Sequence, residues 1–153
     1  LCTASETAPP GILSGTIVLT ADGGIPAEFL TPGDRIITRD TGLVRLTGLT
    51  RRNAVVRLIL FTAGSLGHGR PDRDLALPAD QPVLIRDWRA TALAGTSQAL
   101  LPARALVDGE FVRDLGPQPL CLHLLRFERP QVIYAGGMEL AAAMGAAALH
   151  DAA

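Results

Sequence analysis

The apolar residues of this chain come in short runs, about four to eight long, and nearly every run is closed by Gly, Pro or Asp before a helix could be sustained. Such punctuation predicts many short strands joined by tight turns. Strands are expected at residues 16–20, 35–38, 44–47, 54–61, 83–85, 109–112, 120–127 and 131–134. The turns between them carry the right chemistry: Asp22-Gly23-Gly24, Pro32-Gly33-Asp34, Asp40-Thr41-Gly42 and Asp108-Gly109 each offer a residue that accepts positive φ or holds it near the proline value. Residues 64–74 and 91–97 are poor in large apolar side chains and read as surface loops. Only the Ala-rich residues 138–153 hold strong helix formers in succession, and a short C-terminal helix is expected there. Residues 1–10, polar and ending in Pro9-Pro10, read as a flexible arm, which leaves residues 11–137 as one all-β domain. A chain of 153 residues is long enough to bury a core without metals or disulfides.

A twelve-residue segment occurs twice. Residues 25–36, IPAEFLTPGDRI, recur as residues 101–112, LPARALVDGEFV. Proline, alanine, leucine and glycine coincide, and Asp34 is matched by Glu110. Each copy reads as a proline-initiated helical turn with an inward leucine, then a glycine with an unusual backbone angle, then a strand. Upstream, Val18 to Asp22 resembles Val83 to Asp87. Two related halves with internal pseudo-two-fold symmetry are expected.

Charge narrows the function classes. The 14 basic residues are all arginine and are interspersed with 15 acids, as in Asp72-Arg73-Asp74 and Arg86-Asp87, for a net charge of -1. A phosphate-binding surface needs positive charge gathered on one face, so nucleic acid is excluded as a partner. No apolar run is long enough to span hydrocarbon and residues 1–10 lack the pattern of a secretory signal, so no membrane association is expected. Cys2 and Cys121 are too few for a disulfide framework and too isolated for a zinc site, and His68, His123 and His150 have no ligand spacing around them. No metal or cofactor is expected. The composition fits a cytoplasmic and a secreted protein equally.

The run GTIVLT at residues 15–20, Asp22-Gly23, and IPAEFLTPGDRIITRD at residues 25–40 together resemble the opening of a Hint domain, the module shared by Hedgehog autoprocessing domains and inteins. The bacterial stand-alone branch is the most similar. Ala63 to Gly67 with Arg73-Asp74-Leu75, the second repeat copy, and His123-Leu124-Leu125 with Phe127-Glu128-Arg129 continue the likeness to about residue 139. The resemblance implies a pseudo-symmetric all-β fold. It also implies self-cleavage, in which a side-chain sulfur or oxygen attacks the peptide carbonyl just upstream and a histidine assists the leaving nitrogen.

At the positions where the resemblance would place this chemistry, the residues differ. The nucleophile position, four before Gly15, is Gly11, which has no side chain. The Thr/Ser-x-x-His motif after Asp74-Leu75 reads Pro78 and Gln81, and a further histidine position after Glu128-Arg129 is Pro130. Glutamine can hydrogen-bond a carbonyl but does not exchange protons near neutral pH. The expectation is a degenerate Hint domain that has lost self-cleavage and acts as a binding or structural module for an unidentified protein partner or fused domain. One alternative is an active autoprocessing domain that shifts its N-terminal acyl group to Cys2 or Ser14, for which no base is identified; His123, in a stretch that carries the resemblance, is read as part of the fold and as a possible residual site residue. Another is a β domain that binds a small ligand between its halves. Cys121 is read as a small core residue, and the Gly67-His68-Gly69 loop as a plain connection.

Overall fold

The structure, a computed structural model, describes residues 11–142. Twelve strands and one short α-helix make up these residues: β1 Ile12–Leu13, β2 Ile17–Thr20, β3 Gly23–Pro26, β4 Arg35–Thr38, β5 Gly42–Arg45, β6 Gly48–Phe61, β7 Leu75–Pro78, β8 Pro82–Ile85, α1 Trp88–Ala94, β9 Ala99–Pro102, β10 Val112–Arg126, β11 Val132–Ala135 and β12 Met138–Ala141. One sheet runs in the order β1-β10-β6-β7. The other runs β3-β2-β4-β11-β12-β8-β9, with β5 added beside β4. Between them lies a continuous core that includes Val18, Ile36, Leu46, Ile59, Phe61, Leu77, Val83, Ile133, Met138 and Leu140.

The alternation of side chains explains which runs became strands. In β2, Ile17 and Leu19 face outward while Val18 and Thr20 are buried, and β4 follows the same rule with Ile36 and Thr38 inward. By contrast, β8 and β12 are buried along their whole length, so both of their faces are covered. The two longest strands pair antiparallel along nearly all of β6 and β10, from Val112 opposite Phe61 to Arg126 opposite Gly48, with one irregularity between Asp114 and Gly116. That pairing joins the expected strand at 120–127 to the segment before it. Pro117 and Pro119 are tolerated there because β1 covers only Leu122 and His123, so the rest of β10 is an edge on that side.

Both repeat copies take up the local structure expected of them. Pro26 and Pro102 have nearly the same backbone angles, and each opens a 3-10 turn, Ala27–Phe29 and Ala103–Leu106. Ala27 and Ala103 are fully buried, and Leu30 and Leu106 point into the core. The amide of Ala27 donates to the carbonyl of Thr16, just before β2, and that of Ala103 to the carbonyl of Gln81, just before β8. Gly33 and Gly109 sit at φ values of 98° and 83°, where a Cβ is strained.

Three expectations of local structure are overturned. Residues 109–111, read as part of a strand, form the bend before β10, where the amides of Glu110 and Phe111 donate to the Asp108 carboxylate instead of to a neighbouring strand. Residues 138–141, read as the start of a helix, form β12, and the remaining residues 143–153 lie outside the described residues, as do residues 1–10. The cause is Gly136-Gly137, both at positive φ, which form a two-residue turn that places Met138 opposite Ala135. Once the chain is turned back, pairing to β11 and β8 overrides the helical preference of alanine and leucine. Conversely, residues 88–94 form α1 within a stretch expected to be irregular from residue 91. Asp87 caps it by accepting from the Arg89 amide at 2.9 Å, and Gly95 at φ 74° ends it.

One charged cluster locks β12 in place. Glu139 is 2% exposed, and three arginines converge on its carboxylate: Arg39 at 3.3 Å, Arg70 at 3.1 Å and Arg86 at 2.6 Å. They come from the end of β4, the loop before β7 and the end of β8, so one buried carboxylate ties three segments to the centre of the larger sheet. Glu139→Ala is expected to lower stability by about 2 to 3 kcal/mol, less than the full cost of a stranded buried charge because the three arginines reach solvent; chemical denaturation measures it, and an unchanged midpoint would contradict the assignment. Gly33→Ala and Gly109→Ala should each cost about 1 to 2 kcal/mol through backbone strain alone, since neither added methyl meets a neighbour within 4 Å.

Candidate functional site

The segment that enters the fold at Gly11 runs antiparallel to the far end of β10, with Ile12 opposite His123 and Leu13 opposite Leu122. β1 also packs against β7, so the two edges of the smaller sheet approach one another. This places Gly11 in a buried position. A Cβ there would stand 3.3 Å from the carbonyl oxygen of His123 and 3.4 Å from the side chains of Leu122 and Leu124, so a small side chain fits with a slight adjustment.

The pairing of β1 with β10 brings together two residues that are 109 positions apart. Ser14 Oγ lies 2.8 Å from Nε2 of His123. The serine is exposed, whereas the imidazole is 1% exposed and its Nδ1 has no partner among the described residues. Burial lowers the His123 pKa below its usual value of 6.5; Arg51, which faces it across the β6–β10 ladder, acts in the same direction, and Glu28 opposes both. The imidazole is therefore neutral at pH 7 and can accept the serine proton.

Glu28, on the first 3-10 turn, accepts the amide of Gly15 at 2.6 Å, and this backbone hydrogen bond holds its carboxyl below the ordinary glutamate range. Arg51 donates to the Glu28 carbonyl at 3.3 Å. The turn between β1 and β2 is closed by the Thr16 amide, which donates to the carbonyl of Leu13 at 3.2 Å, with Gly15 at φ 89°.

The other expected positions are arranged differently. Pro78 is buried at the end of β7, opposite Leu58. Gln81 is 1% exposed, and its amide nitrogen donates to the carbonyls of Pro82 at 2.9 Å and Ala141 at 2.8 Å. Both of its N–H bonds are thus engaged in tying the β7–β8 turn to the end of β12. Pro130 is exposed in the connection between β10 and β11. Cys2 lies outside the described residues, and Cys121 is half-buried rather than part of the core. No group of three or more His, Cys, Asp or Glu that could hold a metal is present among the described residues, and no helix among them is long and apolar enough to cross a membrane.

Sequence reasoning found Ser14 and His123 separately but gave Ser14 no base. Their only link is the register of β1 on β10, which no local spacing encodes. Glu28 was legible only as part of the repeat.

A sequence model of the Hint domain matches residues 10–144, and the chain belongs to that family. Among solved structures it is similar to a bacterial intein-like domain from Clostridium thermocellum, with TM-score 0.58 and 15% identity over 86% of this chain and 97% of that one. It is similar also to the gp41-1 intein, with TM-score 0.56 and 11% identity over 87% and 98% of the two chains. A DnaB intein from Synechocystis matches with TM-score 0.53 and 13% identity over 88% and 99%. At these identities the likeness is one of fold. Comparison with curated protein sequences finds no match.

The lowered His123 pKa has a consequence for stability. The unfolded chain takes up the proton near pH 6.5, before the folded chain does, so acidification below that value favours unfolding until the folded form is protonated too. Wild-type protein should therefore lose stability as pH falls below about 6.5, while His123→Gln should be flat in that window. Melting curves from pH 7.5 to 5 read this directly, and parallel curves for the two proteins would contradict the burial effect.

Proposed function

We propose that this Hint domain has lost self-cleavage and serves as a binding or structural module. The observation that carries the proposal is Gln81. It occupies the position that the family resemblance gives to the assisting histidine, yet both of its side-chain N–H bonds go to carbonyls of the domain itself. Such a residue holds β12 and has neither a free donor for a scissile peptide nor a proton to exchange. Gly11 removes the nucleophile at the same time, and Pro130 removes a second imidazole. Fold and chemistry are separable.

A second reading rests on Ser14 and His123. Ser14 Oγ would attack the carbonyl carbon of Leu13 while Nε2 of His123 takes the hydroxyl proton. That proton would pass to the Ser14 nitrogen as the carbon–nitrogen bond breaks, leaving an ester. The Thr16 amide, already directed at the Leu13 oxygen, would support the developing negative charge. This places the cut between Leu13 and Ser14, three residues beyond the family position.

The test is the intact mass of the chain fused behind a folded carrier, incubated with a thiol or with hydroxylamine. The fusion is expected to remain whole, and a Gly11→Cys, Gln81→His, Pro130→His variant to be cut upstream of residue 11. Cleavage of the unmodified fusion between Leu13 and Ser14, abolished by Ser14→Ala, would establish the second reading and end the first.

A further inference from the structure

Only part of β6 is covered on both edges. Along one edge it pairs with β10 from Gly48 to Phe61, whereas along the other β7 reaches only Leu58 to Phe61. The Arg57 carbonyl accepts the Ala79 amide on that second side. Backbone groups alternate along a strand, so the N–H and C=O of Leu49, Arg51, Asn53 and Val55 face the same way as those of Arg57. No backbone group among the described residues bonds them there. Arg51, Asn53 and Val55 are exposed, Val55 to 66%.

The other open edges are blunted. β10 carries Pro117, Pro119 and the irregularity between Asp114 and Gly116 on the stretch that β1 leaves free. β3 and β9 are four residues long, and each ends in proline. The open stretch of β6 has no proline and no break in register, and it stays a template on which a further strand can pair.

Charge decides the kind of strand. Arginine and acid are interspersed along the sequence, but the fold leaves arginines in excess at this edge. Arg51 and Arg52 lie on the open stretch. Arg126 stands opposite Gly48 and donates to the Thr50 hydroxyl beside them, and Arg45 precedes Gly48 by three residues. None of the four forms an ion pair with a carboxylate among the described residues. Arg45 is also directly opposite Arg35, and like charges so placed repel. The acids on neighbouring segments are engaged: Glu28 accepts the Gly15 amide, and Asp34 accepts the amide and hydroxyl of Thr31. A second copy of the chain does not fit, because two such edges side by side would set arginine against arginine. A DNA phosphate backbone would neutralise the arginines but offer no donor to the outward carbonyls.

We propose that the open edge of β6 binds an acidic peptide in extended conformation, added as a further strand bonded to Leu49, Arg51, Asn53 and Val55, with its carboxylates beside Arg51 and Arg52. This rests on the reading of the domain as a binding module and names its partner's chemistry. The fusion mass reads cleavage and a titration reads this edge, so the two readings fail separately.

A fluorescein-labelled peptide of about ten residues, alternating glutamate and valine, is titrated with the whole chain and followed by anisotropy. Saturable binding is expected, with half-saturation below about 100 μM at about 50 mM salt and weaker binding as salt rises. The same peptide methylated at every backbone nitrogen keeps its charge but loses its donors, and should bind at least about 5-fold more weakly. A lysine–valine peptide should not bind. Val55→Pro deletes an N–H on the open edge and none in the ladder to β10, and should weaken binding at least about 5-fold. Arg52→Gln should weaken it about 2- to 5-fold. Should Val55→Pro fail to fold, the methylated peptide tests the same bonds from the other side. Absence of saturation up to about 1 mM overturns the proposal. So does equal affinity for the methylated peptide, or tighter binding of a single-stranded DNA of the same length.

Discussion

The antiparallel pairing of β6 with β10 is the constraint on which the rest of the structure depends. β10 follows directly on the second repeated turn region, whereas β6 comes after β4 and β5, and together they form a ladder from Phe61 and Val112 to Gly48 and Arg126. One end of that ladder, at Phe61 and Val112, is buried in the common core. The other presents His123 to the incoming segment at Ile12. If the register slipped by one residue, His123 would turn to the opposite face, and Ser14 would lose its partner. Register is pinned by buried side chains along β10, Val112 at one end and Leu122 and Leu125 beside the histidine, so the packing of the whole strand determines where the histidine points.

The larger sheet is assembled by a different device. Its strands are short, and β12 at its centre carries a charged residue that a core strand ordinarily excludes. Burying Glu139 is tolerable only because Arg39, Arg70 and Arg86 surround it, and these come from segments that the chain must gather to close the sheet. Gln81 makes a smaller version of the same connection, from the β7–β8 turn to the end of β12. Where the family likeness places catalytic chemistry, this chain has a hydrogen bond that strengthens the scaffold. That exchange is the physical content of the view that the domain binds or supports and no longer cuts.

Much of the fold was legible from residue order, and the misses have definite causes. The strands β2, β4, β8 and β11 were visible because each is a compact apolar run between turn residues. The 3-10 turns after Pro26 and Pro102 were visible because proline fixes the entry angle and the glycine downstream permits the exit. β12 departs from the helix its composition favours because the Gly136-Gly137 turn directs it into the sheet, and helix propensity is small beside the pairing of a strand on both edges. α1 was missed although Asp87 and Gly95 signal its ends, because the residues between them include threonine and little apolar periodicity. β3, β7 and β9 lack any pattern of their own and exist because a neighbouring strand offers an open edge.

The sequence by itself determined the fold class, the family, the two repeated turn regions and the residue types at positions 11, 78, 81 and 130, which are Gly, Pro, Gln and Pro. These are properties of residue type at a position, and type can be read without coordinates. Tertiary structure alone decided that Ser14 meets His123, that Gln81 holds Ala141 and that three arginines share Glu139. Each of these joins residues far apart in the chain through sheet register and loop packing. Register is set by the burial of whole faces at once, so no local pattern of residues contains it.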